Sequence, residues 1–123
     1  MIHLHRAYDP RPSDGSSVIL VDRLWPRGVP KAVLKPDAWL KDVAPSTVLR
    51  QWFGHDPARW AEFRRRYRAE LGRNGEALMP LLMAAEAGDV TLVYSAHDAE
   101  HNQAVVLKEF LDQVRAGHRS GGR

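Results

Sequence analysis

The stretch Val18-Ile19-Leu20-Val21-Asp22-Arg23 decides the fold, because four aliphatic residues pass directly into two opposite charges. A continuous aliphatic run of this length is typical of a strand that is buried on both faces, as in a parallel sheet. The later run Val90-Thr91-Leu92-Val93-Tyr94 has the same character, and it passes into the polar segment Ser95-Ala96-His97-Asp98. We therefore predict an α/β fold in which both runs are strands of one sheet.

The segments on either side of these strands complete an α/β pattern. Residues 2–8 begin with alternating apolar and polar side chains, which indicates a half-exposed strand, whereas residues 38–43 fit either a short strand or a helical turn. Apolar side chains at helical spacing, together with capping residues, predict helices after Ser46 and at about 57–71, 76–87 and 99–114. Strands separated by helices imply right-handed crossovers and a small, mostly parallel sheet of three or four strands covered by helices.

The composition limits the classes of protein to which the chain can belong. With 123 residues, 44% hydrophobic and 27% charged, it fits one domain, which we place at residues 1–117, followed by a disordered polar tail at 118–123. The absence of cysteine excludes a disulfide framework, a thiolate nucleophile and a zinc site with sulfur ligands. We predict a cytoplasmic protein without membrane association, since no apolar run suits a signal peptide or a membrane span. The net charge of +3 slightly favours anionic partners.

The polar residues that follow the predicted strands form the main candidate site. Ligands of open parallel sheets bind beyond the carboxyl ends of the strands, where these residues would meet. We expect an anionic small molecule, a nucleotide or a sugar phosphate, to bind there, because arginine suits phosphate. The candidates for holding it are Arg23, Arg27 and Lys41, with the helix start at Ser46 as a further donor and Trp25 as a wall. The candidates for acid–base chemistry are Asp22, Asp42 and His97.

Other interpretations of the same residues remain open. The charges at the strand ends can instead pair with neighbouring elements and serve only to stabilise the fold. His97, Asp98 and His101 have a spacing that suits a divalent metal, but three nearby ligands seldom make a site, and a helix cap beside two exposed histidines fits the sequence better. The sequence does not identify a cofactor, since it contains no glycine-rich phosphate loop and no nucleophile elbow.

An arginine-rich segment at residues 64–68 supports a different class of function. Its four arginines suit the phosphate backbone of a nucleic acid. However, Glu62 and Glu70 lie on the same predicted helix, a charged run of this kind is usually a solvated face, and no known nucleic-acid-binding motif accompanies it. A third hypothesis is a non-catalytic interaction domain whose charged surface contacts a partner protein.

Several of these segments also resemble a known bacterial family. Residues 21–28, Val-Asp-Arg-Leu-Trp-Pro-Arg-Gly, and residues 39–56, which start at Trp39-Leu40-Lys41 and end at Phe53-Gly54-His55-Asp56, resemble the YeaO-like proteins of the domain of unknown function DUF488. Phe63-x-x-x-Tyr67-x-x-Glu70-Leu71 and residues 91–96 with His101-Asn102 extend the match. The resemblance covers nearly the whole chain apart from the tail, and it implies a fold but no activity.

Longer relatives of this family differ from the chain at two places near the site. They carry a cysteine near the end of the last strand and a Cys-His-Arg group before the last helix, where this chain has Ser95 and Asn102-Gln103-Ala104. Thiol chemistry in such relatives therefore does not carry over. We include Ser95, which directly follows the second predicted strand, and Asn102 among the candidate ligand-binding residues.

Overall fold

A computed structural model describes the backbone of residues 1–121 and the side chains of residues 1–117. The strands are β1 (Ile2–Arg6), β2 (Ser17–Leu20), β3 (Ala38–Trp39) and β4 (Val90–Tyr94). The helices are α1 (Lys31–Leu34), α2 (Thr47–Phe53), α3 (Trp60–Gly72), α4 (Gly75–Ala87) and α5 (Gln103–Gly121), with short 3-10 turns at Lys41–Val43 and Pro57–Arg59. Within the described residues, none of these helices is long and apolar enough to cross a membrane.

The four strands form one parallel sheet in the order β1-β4-β2-β3. Leu92 of β4 pairs with Leu4 of β1 on one side and with Ile19 of β2 on the other. All five residues of β4 are buried, because this strand has a neighbour on each side and covered faces above and below. The sheet confirms the predicted α/β fold and the burial of both aliphatic runs.

Side chains of β2 alternate between a large and a small hydrophobic cluster on opposite faces of the sheet. Ile19 and Val21 belong to the large cluster, which also contains residues of α2, α3, α4 and α5. Val18 and Leu20 belong to the small cluster, in which Leu34 of α1 takes part. Because successive side chains of a strand point to opposite faces, a continuous aliphatic run supplies both clusters at once.

In two segments, the structure sets element boundaries that local sequence patterns did not fix. Residues 38–43 contain both predicted structures, since Ala38–Trp39 pairs with β2 and Lys41–Val43 turns back as a 3-10 helix. The last helix begins at Gln103 rather than near residue 99, because Asn102 is its cap and accepts a hydrogen bond from Val105 N at 3.2 Å. The predicted disordered tail at 118–123 lies outside the residues whose side chains are described, and it stays a prediction.

Candidate functional site

A cleft of about 460 Å³ opens beyond the carboxyl ends of β1, β2 and β4. Its walls come from the segments that follow these three strands, from α2 and the turn after it, and from the start of α5. The polar side chains in it are Asp22, Arg23, Arg27, Arg50, His55, Ser95, Asn102 and Gln103, and the aromatic ones are Tyr8, Trp25, Phe53, Phe63 and Tyr94. The structure thus brings together six of the predicted site residues: Asp22, Arg23, Trp25, Arg27, Ser95 and Asn102.

Asp22 lies at the base of the cleft and joins three elements of the fold. One carboxylate oxygen, Oδ2, accepts hydrogen bonds from the backbone N–H of Ser95 at 3.0 Å and from the Ser95 hydroxyl. The other, Oδ1, accepts one from Gln103 Nε2 at 2.6 Å, and the same nitrogen donates to Val21 O at 2.9 Å. The end of β2 is therefore tied to the end of β4 and to the first turn of α5.

Burial and hydrogen bonding act in opposite directions on the Asp22 carboxyl group. Burial is the larger effect and raises its pKa, whereas the hydrogen bonds from Ser95 and Gln103 and the charge of His55 lower it. Both oxygens are occupied by donors from the chain itself. This arrangement supports the interpretation that Asp22 stabilises the fold, and it leaves the carboxylate poorly placed to accept a proton from a ligand.

Three arginines bring positive charge into the cleft. The Arg23 guanidinium is half-buried and makes long hydrogen bonds of 3.4 Å to the backbone oxygens of Ala44 and Pro45. Arg27 and Arg50 are exposed, and neither side chain has a hydrogen-bonding or ionic partner among the described residues. Asp22 is the only carboxylate among the described residues that line the cleft, so the lining carries an excess of positive charge.

The turn after Asp22 holds Arg27 at the edge of the cleft. Val29 N donates to Pro26 O at 3.3 Å, and Gly28 takes the left-handed conformation, with φ of +80°, that a turn of this type requires. Trp25 closes the loop, because its Nε1 donates to Val29 O at 2.7 Å. The Trp25 ring also meets Trp39 edge to face at 5.5 Å in the small cluster, so packing accounts for much of its surface.

Lys41, Asp42 and Ser46, which the sequence places at the site, lie outside the cleft. β3 is only two residues long, and the following 3-10 turn leaves Lys41 over the Trp39 ring at 4.2 Å and Asp42 exposed. Ser46 does cap α2, but its backbone N–H and hydroxyl both donate to the Glu70 carboxylate, at 2.9 and 2.6 Å. The anion at this helix start is therefore a side chain of α3.

The histidines near the start of α5 do not form a shared metal site. His97 is exposed and its Nδ1 lies 3.1 Å from an Arg6 guanidinium nitrogen. His101 Nδ1 instead lies 2.9 Å from Asp98 Oδ2, and its ring packs on the edge of Trp60. Among the described residues, no three histidine, aspartate or glutamate side chains come together as metal ligands would.

Ser95 and Asn102, two further candidate ligand-binding residues, lie at the cleft, but their polar groups already make hydrogen bonds within the chain. Ser95 donates twice to Asp22, as described above. Asn102 is 2% exposed, caps α5 through Oδ1 and donates from Nδ2 to Asp98 O at 2.8 Å. Both residues shape the cleft and fix its neighbours, so a ligand would meet them mainly as walls.

The residues of the cleft that sequence reasoning missed include Tyr8, Arg50, His55 and Gln103. Two local signals point to them in hindsight. Tyr8 lies two residues beyond the end of β1, and His55 has φ of +58°, a rare conformation for a residue other than glycine that concentrates at functional sites. Arg50 carries no such signal, since it lies on a helix that only tertiary packing places over the sheet end.

The arginine-rich part of α3 is occupied by contacts within the chain. Arg65 and Arg66 both bind Glu62, and Arg64 binds Glu109 of α5 at 2.6 Å. Arg68 binds Gln113 and lies over the Phe110 ring. Each guanidinium thus already has a carboxylate or amide partner, which reduces its availability for phosphate backbones.

Comparison with known proteins assigns the chain to a family without a described activity. The uncharacterized protein YeaO of Escherichia coli strain K12 is 41% identical over 110 residues, which cover 89% of this chain and 96% of the relative. The uncharacterized proteins Rv3073c of Mycobacterium tuberculosis H37Rv and Mb3100c of Mycobacterium bovis are 36% identical over 111 residues, covering 90% of this chain and 93% of each relative. No solved structure matches the chain. The model of a family described as the inactive DUF488-N3 subclade matches residues 1–121, and the chain therefore belongs to this YeaO-like DUF488 family.

Proposed function

We propose that the cleft binds a phosphate-bearing small molecule, a nucleotide or a sugar phosphate, and releases it unchanged. The observation that carries this proposal is the charge of the cleft: Arg23, Arg27 and Arg50 line it, and the one carboxylate beside them is occupied at both oxygens by Ser95 and Gln103. An arginine fork matches two phosphate oxygens at once. A concave site with one sign of charge also concentrates its field on the ligand.

The dimensions and the surface of the cleft support a small ligand. Its volume of about 460 Å³ lies within the range of about 300–1,000 Å³ that is usual for small-molecule sites. Its lining combines aromatic surface with a few polar groups that converge on one place, as such sites usually do. Two exposed arginines at the edge and a half-buried one deeper inside suit a terminal phosphate with the rest of the ligand against the aromatic wall.

Binding without turnover agrees with the placement of the acid–base groups that the sequence predicts. Asp22 already accepts three hydrogen bonds from the chain itself, while Asp42 and His97, the other acid–base candidates from the sequence, lie outside the cleft. Ser95 and Asn102 stand where longer relatives are expected to carry thiols, and the description of the family as inactive is in keeping with this. A metabolite of this kind also agrees with the cytoplasmic location predicted from the sequence.

Titration calorimetry with inorganic phosphate, ribose 5-phosphate and adenosine 5′-monophosphate at low ionic strength tests the proposal. Arg27→Ala and Arg50→Ala remove cations that make no described contact within the fold, so both variants should fold normally. Each should weaken binding about tenfold or more, the equivalent of one lost charge-assisted hydrogen bond of about 1.5–3 kcal/mol. Arg73→Ala is the matched control, because Arg73 is an exposed arginine outside the cleft.

Two results would contradict the proposal. One is that none of the three probes binds the wild-type protein at low salt. The other is that Arg73→Ala lowers affinity as much as Arg27→Ala. Binding of the probes would then depend on the net charge of the protein rather than on the cleft.

A further inference from the structure

Tyr8 is the most exposed of the tyrosine, phenylalanine and tryptophan residues that line the cleft. Phe53 and Tyr94 are 5% exposed and Phe63 is 2% exposed, so their rings belong to the core. Trp25 is half-buried between Val29 and Trp39. Tyr8, in contrast, is 45% exposed although it lies in a cleft wall. Its aromatic surface is therefore accessible to a ligand in a concave site lined by arginines.

The ring of Tyr8 is held in one position by three contacts. Its hydroxyl donates to the backbone oxygen of Arg27 at 2.9 Å. The guanidinium of Arg6 lies 5.3 Å from the ring centre, and Arg6 is itself fixed by a hydrogen bond to Ala96 O. The backbone is fixed as well, since Asp9 N donates to Arg6 O at 3.1 Å across Tyr8. A ring that is already immobile loses little entropy when a ligand stacks on it.

The position of this ring relative to Arg27 suits one class of ligand. The hydroxyl contact joins the ring to the backbone of Arg27, so a flat apolar surface and the residue that carries a guanidinium without a partner among the described residues are held next to each other in the cleft wall. Arg6 covers one face of the ring, which leaves the remaining exposed surface for a second flat group. A sugar phosphate has no such group, whereas a nucleotide has its base.

We propose that Tyr8 is the stacking platform for a base, so that the ligand of the cleft is a nucleoside phosphate rather than a sugar phosphate. This inference rests on the phosphate-binding function proposed above. Stacking of a base on an aromatic side chain tolerates any base, because every base has a π face. The platform therefore selects nucleotides as a class and does not distinguish one base from another.

Affinities for adenosine 5′-monophosphate and ribose 5-phosphate, measured by calorimetry on the same protein, test the platform, because the two probes share the phosphate and the ribose. The wild-type protein should bind the nucleotide about tenfold to a hundredfold more tightly, as base stacking of about 1–3 kcal/mol implies. Tyr8→Leu should remove most of this ratio, since any effect of the lost hydrogen bond to Arg27 O on phosphate binding is common to both probes. Tyr8→Phe keeps the ring and should retain a larger part of the ratio.

The possible outcomes distinguish failure of the stacking platform from failure of the phosphate-binding function. Equal affinity of the wild-type protein for the two probes would overturn the platform while leaving the phosphate site intact, and so would a Tyr8→Leu variant that keeps the full ratio. Failure of both probes and of inorganic phosphate to bind would overturn the phosphate site and the platform together. Circular dichroism shows whether the Tyr8→Leu variant is folded. If it is not, the ratio of the two affinities on the wild-type protein still tests whether a base stacks in the cleft.

Discussion

Asp22→Asn is the substitution that most directly tests whether the charge at the end of β2 stabilises the fold. The wild-type carboxylate accepts hydrogen bonds from Ser95 N, Ser95 Oγ and Gln103 Nε2. An asparagine replaces one acceptor oxygen with an NH₂ donor. If the NH₂ faces Gln103, it meets a donor nitrogen where Oδ1 stood at 2.6 Å, and if it faces Ser95 it meets the backbone N–H.

The expected loss follows from the number of donors left without an acceptor. Either orientation of the amide removes at least one hydrogen bond to a charged group, which costs about 1.5–3 kcal/mol. Removal of a charge from a half-buried position offsets part of this loss of stability, because burial disfavours the ionised carboxyl group. We expect the free energy of unfolding to fall by about 1–2 kcal/mol.

Equilibrium unfolding in urea measures this change, with the slope of the transition as a check that the unfolded state is the same. Asp42→Asn is the matched control, since Asp42 is an exposed aspartate near the end of the neighbouring strand, and it should change stability by less than about 0.5 kcal/mol. An Asp22→Asn protein as stable as the wild type, at an unchanged slope, would refute the role of Asp22 as a link between β2, β4 and α5.

Two further predictions follow from the same contacts. Because the pKa of Asp22 is raised by burial, the folded state binds this proton more tightly than the unfolded state, so the contribution of Asp22 to stability should decline as the pH rises from about 4 through the raised pKa. Unfolding free energies of wild type and Asp22→Asn across this range check the sign, and a difference that stays constant would contradict it. Ser46→Ala should cost about 1–2 kcal/mol, because it removes the cap of α2 and a hydrogen bond to Glu70, while phosphate affinity stays the same. Loss of phosphate binding in this variant would show that Ser46 belongs to the site after all.

The local sequence was sufficient to predict the part of the candidate site that directly follows the strands. An aliphatic run that stops at Asp22-Arg23 marks where a buried strand leaves the sheet, and parallel strands all leave at the same edge. This is why Asp22, Arg23, Arg27 and Ser95 could be placed together before any contact was known. The same reasoning failed for Lys41 and Asp42, because β3 ends after two residues and the chain turns away in a 3-10 helix.

Long-range packing decided which polar groups are free. Ser46 and Glu70 are 24 residues apart, and no local pattern shows that one binds the other. Tyr8 and Arg27 are likewise brought together only because β1 and β2 end at the same edge of the sheet. The partners of a polar side chain depend on which elements meet, whereas its chemical type depends on sequence alone.

The sequence by itself determined the class of the fold, the two central strands and the edge at which polar residues collect, because the hydrophobic pattern is a local property of the chain and strands that alternate with helices imply a parallel sheet. The tertiary structure alone decided that Asp22 and Ser46 bind the chain's own groups, that Arg50 and His55 join the cleft, and that the Tyr8 ring stays exposed there. The physical reason is that a hydrogen bond or a covered surface needs two partners, and the distance between distant partners is set only when the helices pack on the sheet.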